Sequence, residues 1–162
     1  MTPTELIADN LRRNLELLKM TLADFSDADM MVRPCAGANH ALWQLGHLVG
    51  GEVSLLNACK PGAAELPAGL AEKFNAKTAS LDDASAFLPK ATLLDLLGKA
   101  RATTVQWVST LKPEDLDRPG AECLQTVAPT VGHVLTLMIS HVSMHVGQMQ
   151  VIRRKLGKPI LF

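Results

Sequence analysis

Thr130-Val131-Gly132-His133-Val134-Leu135-Thr136-Leu137-Met138-Ile139-Ser140-His141-Val142-Ser143-Met144-His145-Val146-Gly147-Gln148-Met149-Gln150-Val151-Ile152 is the stretch on which the reading of the fold turns. From residue 125 to residue 152 there is no Asp, Glu, Lys or Arg, and a run of that length can cross a bilayer. The run also carries Pro129, His133, His141, His145, Gln148 and several Ser and Thr, and the chain has one such segment. A helix enclosed by protein accounts for that mixture better than one enclosed by lipid. The spacing predicts a helix over residues 130–155, with Gly157 and Pro159 as its stop signals.

A buried helix needs partners, and the rest of the chain supplies them. Over residues 4–24, Ile7, Leu11, Leu18, Leu22 and Phe25 recur at helical spacing, while Arg12, Arg13, Glu16 and Lys19 fall largely elsewhere on the wheel. Asn14 lies within that apolar stripe, either as a satisfied core amide or as part of a cavity lining. Residues 27–34 read as a connection, after which Asn39 is placed to cap a second helix running to Cys59, where Lys60-Pro61-Gly62 stops it. Residues 61–91 show no sustained period, which suits a long crossover bordering a binding site. A third helix is expected from Thr92, with Asp95 completing a capping box; Leu93, Leu97, Ala100, Thr104, Trp107 and Leu111 form its inward stripe, ended by Lys112-Pro113. Four helices with one long connection make an all-α four-helix bundle, taken as one domain over residues 1–162.

Composition narrows the function. Of 162 residues, 48% are hydrophobic and 20% charged, a balance that folds. Sixteen basic and sixteen acidic side chains cancel, so no positive field is available to gather a nucleic-acid backbone. Cys35, Cys59 and Cys123 are odd in number and far apart, which fits reduced thiols and neither a disulfide framework nor a thiolate zinc site. The N-terminal segment has no apolar signal core, so the expected location is cytoplasmic, without a membrane anchor.

The histidines carry the chemistry. His141 and His145 are four apart, which on a helix stacks them on one face. Val134, Met138, His141, His145, Gln148 and Ile152 share that stripe, so the pair faces the bundle interior. Two buried imidazoles without partners would each leave groups unsatisfied at a cost of roughly 1–3 kcal/mol apiece. A metal ion relieves part of that cost and asks for a third ligand from another helix, for which His47 is the best candidate. Gly51, Ser54 and Ala58 on its stripe, with Gly46 and Gly50 nearby and Gly147 opposite, would allow close approach. His40 and His133 sit about two turns from the ligands on their own helices and read as capping, surface or entrance histidines. Spacing alone fits a metal site and satisfied core histidines equally well, because HxxxH without an intervening Glu is a weak motif.

The segment Asn39-His40-Ala41-Leu42-Trp43-Gln44-Leu45-Gly46-His47-Leu48, followed downstream by Thr130-Val131-Gly132 and His141-Val142-Ser143-Met144-His145-Val146-Gly147-Gln148, resembles the DinB/YfiT-like metalloenzyme superfamily. The helix order, the long crossover and the closing Leu156-Gly157-Lys158-Pro159 extend the resemblance over nearly the whole chain. It implies an up-down-down-up bundle, with the crossover between helices two and three. It further implies a three-histidine site for zinc, nickel or a similar ion, falling here on His47, His141 and His145, and often a homodimer. A second apolar face of the last helix, Val131, Leu135, Val142, Val146 and Met149, independently suggests a dimer partner or the crossover folding back over it.

Three neutral imidazoles leave an ion its full charge and an open position, the composition of a catalytic site. Gln148 is placed either to steady a ligand or as a surface amide. Glu52 lies about 140° round the helix from His47 and points away, so no general base is named. Since relatives include thiol S-transferases and a thiol-dependent isomerase, the leading expectation is a metal-dependent transferase that activates a low-molecular-weight thiol toward a small-molecule substrate. The alternatives are a metal-dependent hydrolase and a non-catalytic, stress-related metal-binding dimer.

Overall fold

In the computed structural model, which describes residues 1–161, six helices and three short 3-10 turns follow one another, with no named strand among the described residues. Helix α1, Pro3–Leu22, opens on a reciprocal cap: Thr2 Oγ1 accepts from the amide of Glu5, whose carboxylate accepts from the amide of Thr2. Its buried stripe is Ala8, Leu11, Leu15, Leu18 and Leu22. A one-turn helix α2, Asp27–Met30, leads to α3, Ala41–Cys59.

The cap of α3 differs from expectation. His40, rather than Asn39, stands at the N-cap, its Nδ1 accepting from the Trp43 amide at 3.0 Å. Asn39 is used through its backbone, with its carbonyl accepting from Gln44 Nε2 at 2.7 Å. The crossover contains the one-turn helix α4, Leu70–Lys73, and is pinned to the bundle by buried Leu70, Phe74 and Phe87.

Helix α5, Lys90–Val108, starts two residues before Thr92, so no Thr92–Asp95 capping box forms; Asp95 instead pairs with Lys99 at 2.7 Å. The earlier start follows from Pro89 at the N-cap and from Lys90, whose ammonium donates to the carbonyls of Leu22 and Phe25 just past α1. Helix α6, Val131–Lys155, is capped by Thr130 and closed by Gly157 at φ 66°, a left-handed position where glycine avoids Cβ strain.

Cross-helix hydrogen bonds give the topology. Asn14 with Ser143, Gln150 with Thr21 and Arg153 with Asp24 advance together, so α1 and α6 run parallel. Lys90 against Leu22 and Arg101 against Leu11 make α5 antiparallel to α1. Gln44 against His145 and His47 against His141 make α3 antiparallel to α6. The bundle is therefore up-down-down-up, with α1 and α3 at opposite corners, each packed on α5 and α6.

The second apolar face of α6 is covered from within. Val131, Leu135, Val142, Val146 and Met149 are each at most 4% exposed and lie in core clusters with Ala8, Leu11, Leu15, Leu18 and Leu22 of α1. That face needs no second chain. No described helix is long and apolar enough to cross a membrane.

Candidate metal centre

Two helices bring three imidazoles to one point. His47 projects from the middle of α3, and His141 and His145 project from successive turns of α6 on the face turned toward it. One ligating atom from each lies within 4.8 Å of the others, and no further His, Cys, Asp or Glu joins them among the described residues. His47 Nε2 and His141 Nε2 are 3.1 Å apart. The three ring centroids are separated by 4.9 to 5.3 Å, and the rings meet edge to face at 61° to 85°.

These distances suit an ion. Nitrogens bound at 2.0–2.1 Å in a tetrahedral site are about 3.3 Å apart, and the His47–His141 pair already stands close to that spacing. The chemistry of the set agrees. Burial pushes all three imidazoles toward the neutral form, and His145, also repelled by its two neighbours, is lowered to about 4. Neutral imidazoles at pH 7 each keep one lone pair, so the three rings can serve as ligands to a cation.

The tautomer of His145 is set by a residue the motif reading passed over. Gln44 Nε2 donates to the Asn39 carbonyl, which turns Gln44 Oε1 toward His145 Nδ1 at 2.9 Å. An amide oxygen can only accept, so Nδ1 carries the proton and Nε2 is left with the lone pair that could hold a metal. Gln148 does not share this role; it is exposed. The signal for Gln44 was its place in a run of otherwise small and apolar residues, three positions before His47 and fully buried.

Close approach depends on one glycine of the several expected. A Cβ at Gly51 would stand 2.9 Å from Cε1 of His141, so Gly51 makes room for that ring. Gly46 yields instead to Phe74 of the crossover, whose ring a Cβ would meet at 2.2 Å, while Gly50 and Gly147 face open space. His40 is the buried cap of α3, and His133 is exposed beside Thr130; neither reaches the cluster. Glu52 turns away from the histidines and is buried in a bidentate pair with Arg101, at 2.8 and 2.7 Å, with Thr104 as a third donor.

Comparison with known proteins agrees with this architecture. A conserved protein from Enterococcus faecalis shares the fold at a TM-score of 0.74 and 23% identity, over 98% of this chain and 99% of that one. YfiT from Bacillus subtilis, described as a probable metal-dependent hydrolase with an unusual four-helix bundle topology, aligns at a TM-score of 0.69 and 15% identity, over 96% of this chain and 89% of that one. No curated protein matches the chain. The sequence itself matches the DinB superfamily across residues 10–149, a span that includes His47, His141 and His145, and the chain belongs to that superfamily.

Proposed function

We propose that the protein is a metal-dependent transferase acting on a low-molecular-weight thiol, with zinc or nickel held by His47, His141 and His145. The observation that carries the reading is the convergence of three neutral imidazoles with no carboxylate in the cluster. An ion held there would act as a Lewis acid, lowering the pKa of a thiol or water presented to its open position. Gln44 fixes which nitrogen of His145 faces the ion, and burial keeps the three rings unprotonated and available. Glu52 is unsuited to take a proton from substrate, since both its oxygens are engaged by Arg101 and Thr104. A thiol, far more acidic than water, has less need of such a base, which favours transfer over hydrolysis. A cytoplasmic setting supplies reduced thiols, and Cys35, Cys59 and Cys123 are all free.

Protein loaded with zinc or nickel should conjugate bacillithiol, mycothiol or glutathione to an electrophile, and turnover should stop when the metal is chelated. Absence of metal-dependent turnover with all three thiols would reject the transferase. Hydrolysis is the second reading, favoured by the description of the Bacillus subtilis protein. It predicts product without thiol and a rate that rises as water ionises near neutral pH. Saturable ligand binding with no reaction would point to the non-catalytic alternative.

The proposed partner is a second copy of the chain. Leu6 and Met20 of α1 and Met144 and Val151 of α6 are each about half exposed, apolar side chains that a second copy could cover. Sedimentation at micromolar concentration should give twice the chain mass; a monomer would reject this partner.

A further inference from the structure

The two best-placed ligands are held in different ways. His145 is fixed by a hydrogen bond from its second nitrogen to Gln44. His47 shares its Nε2 with His141, and the contact that fixes the plane of its ring is Trp43, one turn earlier on α3. The indole lies within 8° of parallel to the imidazole, with centroids 5.1 Å apart, an offset stack.

The indole is itself held from the crossover. Its Nε1–H donates to Thr78 Oγ1 at 3.1 Å, and the Thr78 hydroxyl is in turn bonded to the carbonyls of Lys73 and Asn75, each at 2.9 Å. The segment around Thr78 is clamped onto the start of α3. Arg33 donates to the carbonyls of Ala79 and Leu81, both at 3.0 Å, and pairs with Asp82, while His40 Nε2 meets the Leu81 carbonyl at 3.2 Å. A chain of direct contacts thus runs from the crossover through Thr78 and Trp43 to His47.

We propose that Trp43 is a positioning residue for His47, and that the crossover, acting through Thr78, tunes how tightly the histidine cluster grips its ion. The proposal rests on the metal-site reading above. An imidazole turns in a broad well about its outer torsion, so an unsupported ring scans its lone pair through many directions. A flat aromatic neighbour narrows that range to one plane before an ion arrives, and the ordering cost is then not charged against binding. Because the crossover borders the same end of α3, a substrate that displaces residues 78–82 would alter His47 without touching it.

Three substitutions separate the steps. Trp43→Phe keeps an aromatic face and loses the N–H; Trp43→Leu loses the face; Thr78→Val loses the acceptor at nearly constant shape. Zinc affinity is measured by chelator competition, and the visible spectrum of the cobalt-loaded protein reports ligand geometry. Zinc should bind about tenfold more weakly to Trp43→Leu and about threefold more weakly to Trp43→Phe and Thr78→Val, as for other outer-sphere supports of a ligand. The cobalt bands should shift in Trp43→Leu. Variants with lowered melting temperature but parental zinc affinity and an unchanged cobalt spectrum would overturn the proposal, leaving Trp43 a packing residue. Failure of the parent itself to take up zinc or cobalt would be a different result, overturning the metal site and this inference with it.

Discussion

Helix α3 takes part in two polar clusters through residues five apart, one fully buried and one half-buried, and they are opposites. Glu52 meets Arg101 and Thr104, with the remaining guanidinium donor on the Leu11 carbonyl, so opposite charges and matched donors close the cluster on itself. His47 meets His141 and His145, three groups of the same kind that repel one another's protons. A closed cluster contributes to holding three helices in register; one with converging lone pairs has capacity left for a cation. The difference separates a structural polar core from a candidate metal site without reference to sequence motifs.

Arg101→Met should break the closed cluster most severely. Glu52, 3% exposed, would be left as an uncompensated charge, at a cost of about 3–5 kcal/mol. Denaturant melts should show that loss for the single variant and a much smaller one for Glu52→Leu combined with Arg101→Met, because removing both charges removes the desolvation problem. A single variant within about 1 kcal/mol of the parent would erase the contrast between the two clusters.

His145→Ala tests the other side. In metal-free protein it should cost the packing of one ring together with roughly 1–3 kcal/mol for the buried Gln44 Oε1 left without its donor. Zinc affinity should fall about a hundredfold or more, exceeding what loss of an outer-sphere support costs. Elemental analysis of tag-free protein should find about one ion per chain in the parent and near none in His47→Ala, His141→Ala or His145→Ala. Retention of the ion by any of the three would remove that residue from the ligand set.

Both clusters lay partly within reach of the sequence. The apolar periods of the first, third and last long helices were visible, and so was the stacking of His141 on His145, because four-residue spacing on a helix is a geometric statement independent of the rest of the fold. His47 was a candidate on its own stripe, joined to that pair by what the family resemblance implies. Glu52 was correctly turned away from His47 on the same grounds. Its partner was not legible: Arg101 interrupts an inward stripe and looks like a surface charge until α5 is known to stand at the corner facing both α1 and α3. Gln148 shared the wheel stripe of the ligands yet is exposed, while Gln44 on the opposing helix took the supporting role. The apolar second face of α6 was real, but periodicity could not say that α1 covers it, since parallel packing of first and last helices is a property of the topology.

The clusters should also part company with pH. An unfolded chain protonates its histidines near pH 6.5, whereas folded His145 resists until about pH 4. Between those values the unfolded state binds more protons, so metal-free protein should lose stability as pH falls from 6.5 toward 4 and lose no more to this residue below that. The share due to His145 is about 2–3 kcal/mol. It is read as the difference between parent and His145→Gln melts across that range. Parallel stability profiles for the two would show that His145 is not held neutral by its surroundings.

The smallest effect sharpens the comparison most, because it asks whether the histidine cluster has a supporting shell of its own. Gln44 touches no ion in the proposed site; it holds the proton on Nδ1 of His145 and so directs Nε2 inward. Gln44→Leu keeps the volume and removes the acceptor, and should weaken zinc about tenfold while leaving the bound stoichiometry unchanged. Gln44→Glu replaces the amide oxygen with a carboxylate that accepts the same hydrogen bond more strongly, raising the basicity of Nε2. It should therefore recover much of the affinity that Gln44→Leu loses. Equal weakening by both substitutions would mean that Gln44 acts through packing and the Asn39 contact, and that the cluster orients His145 by crowding alone.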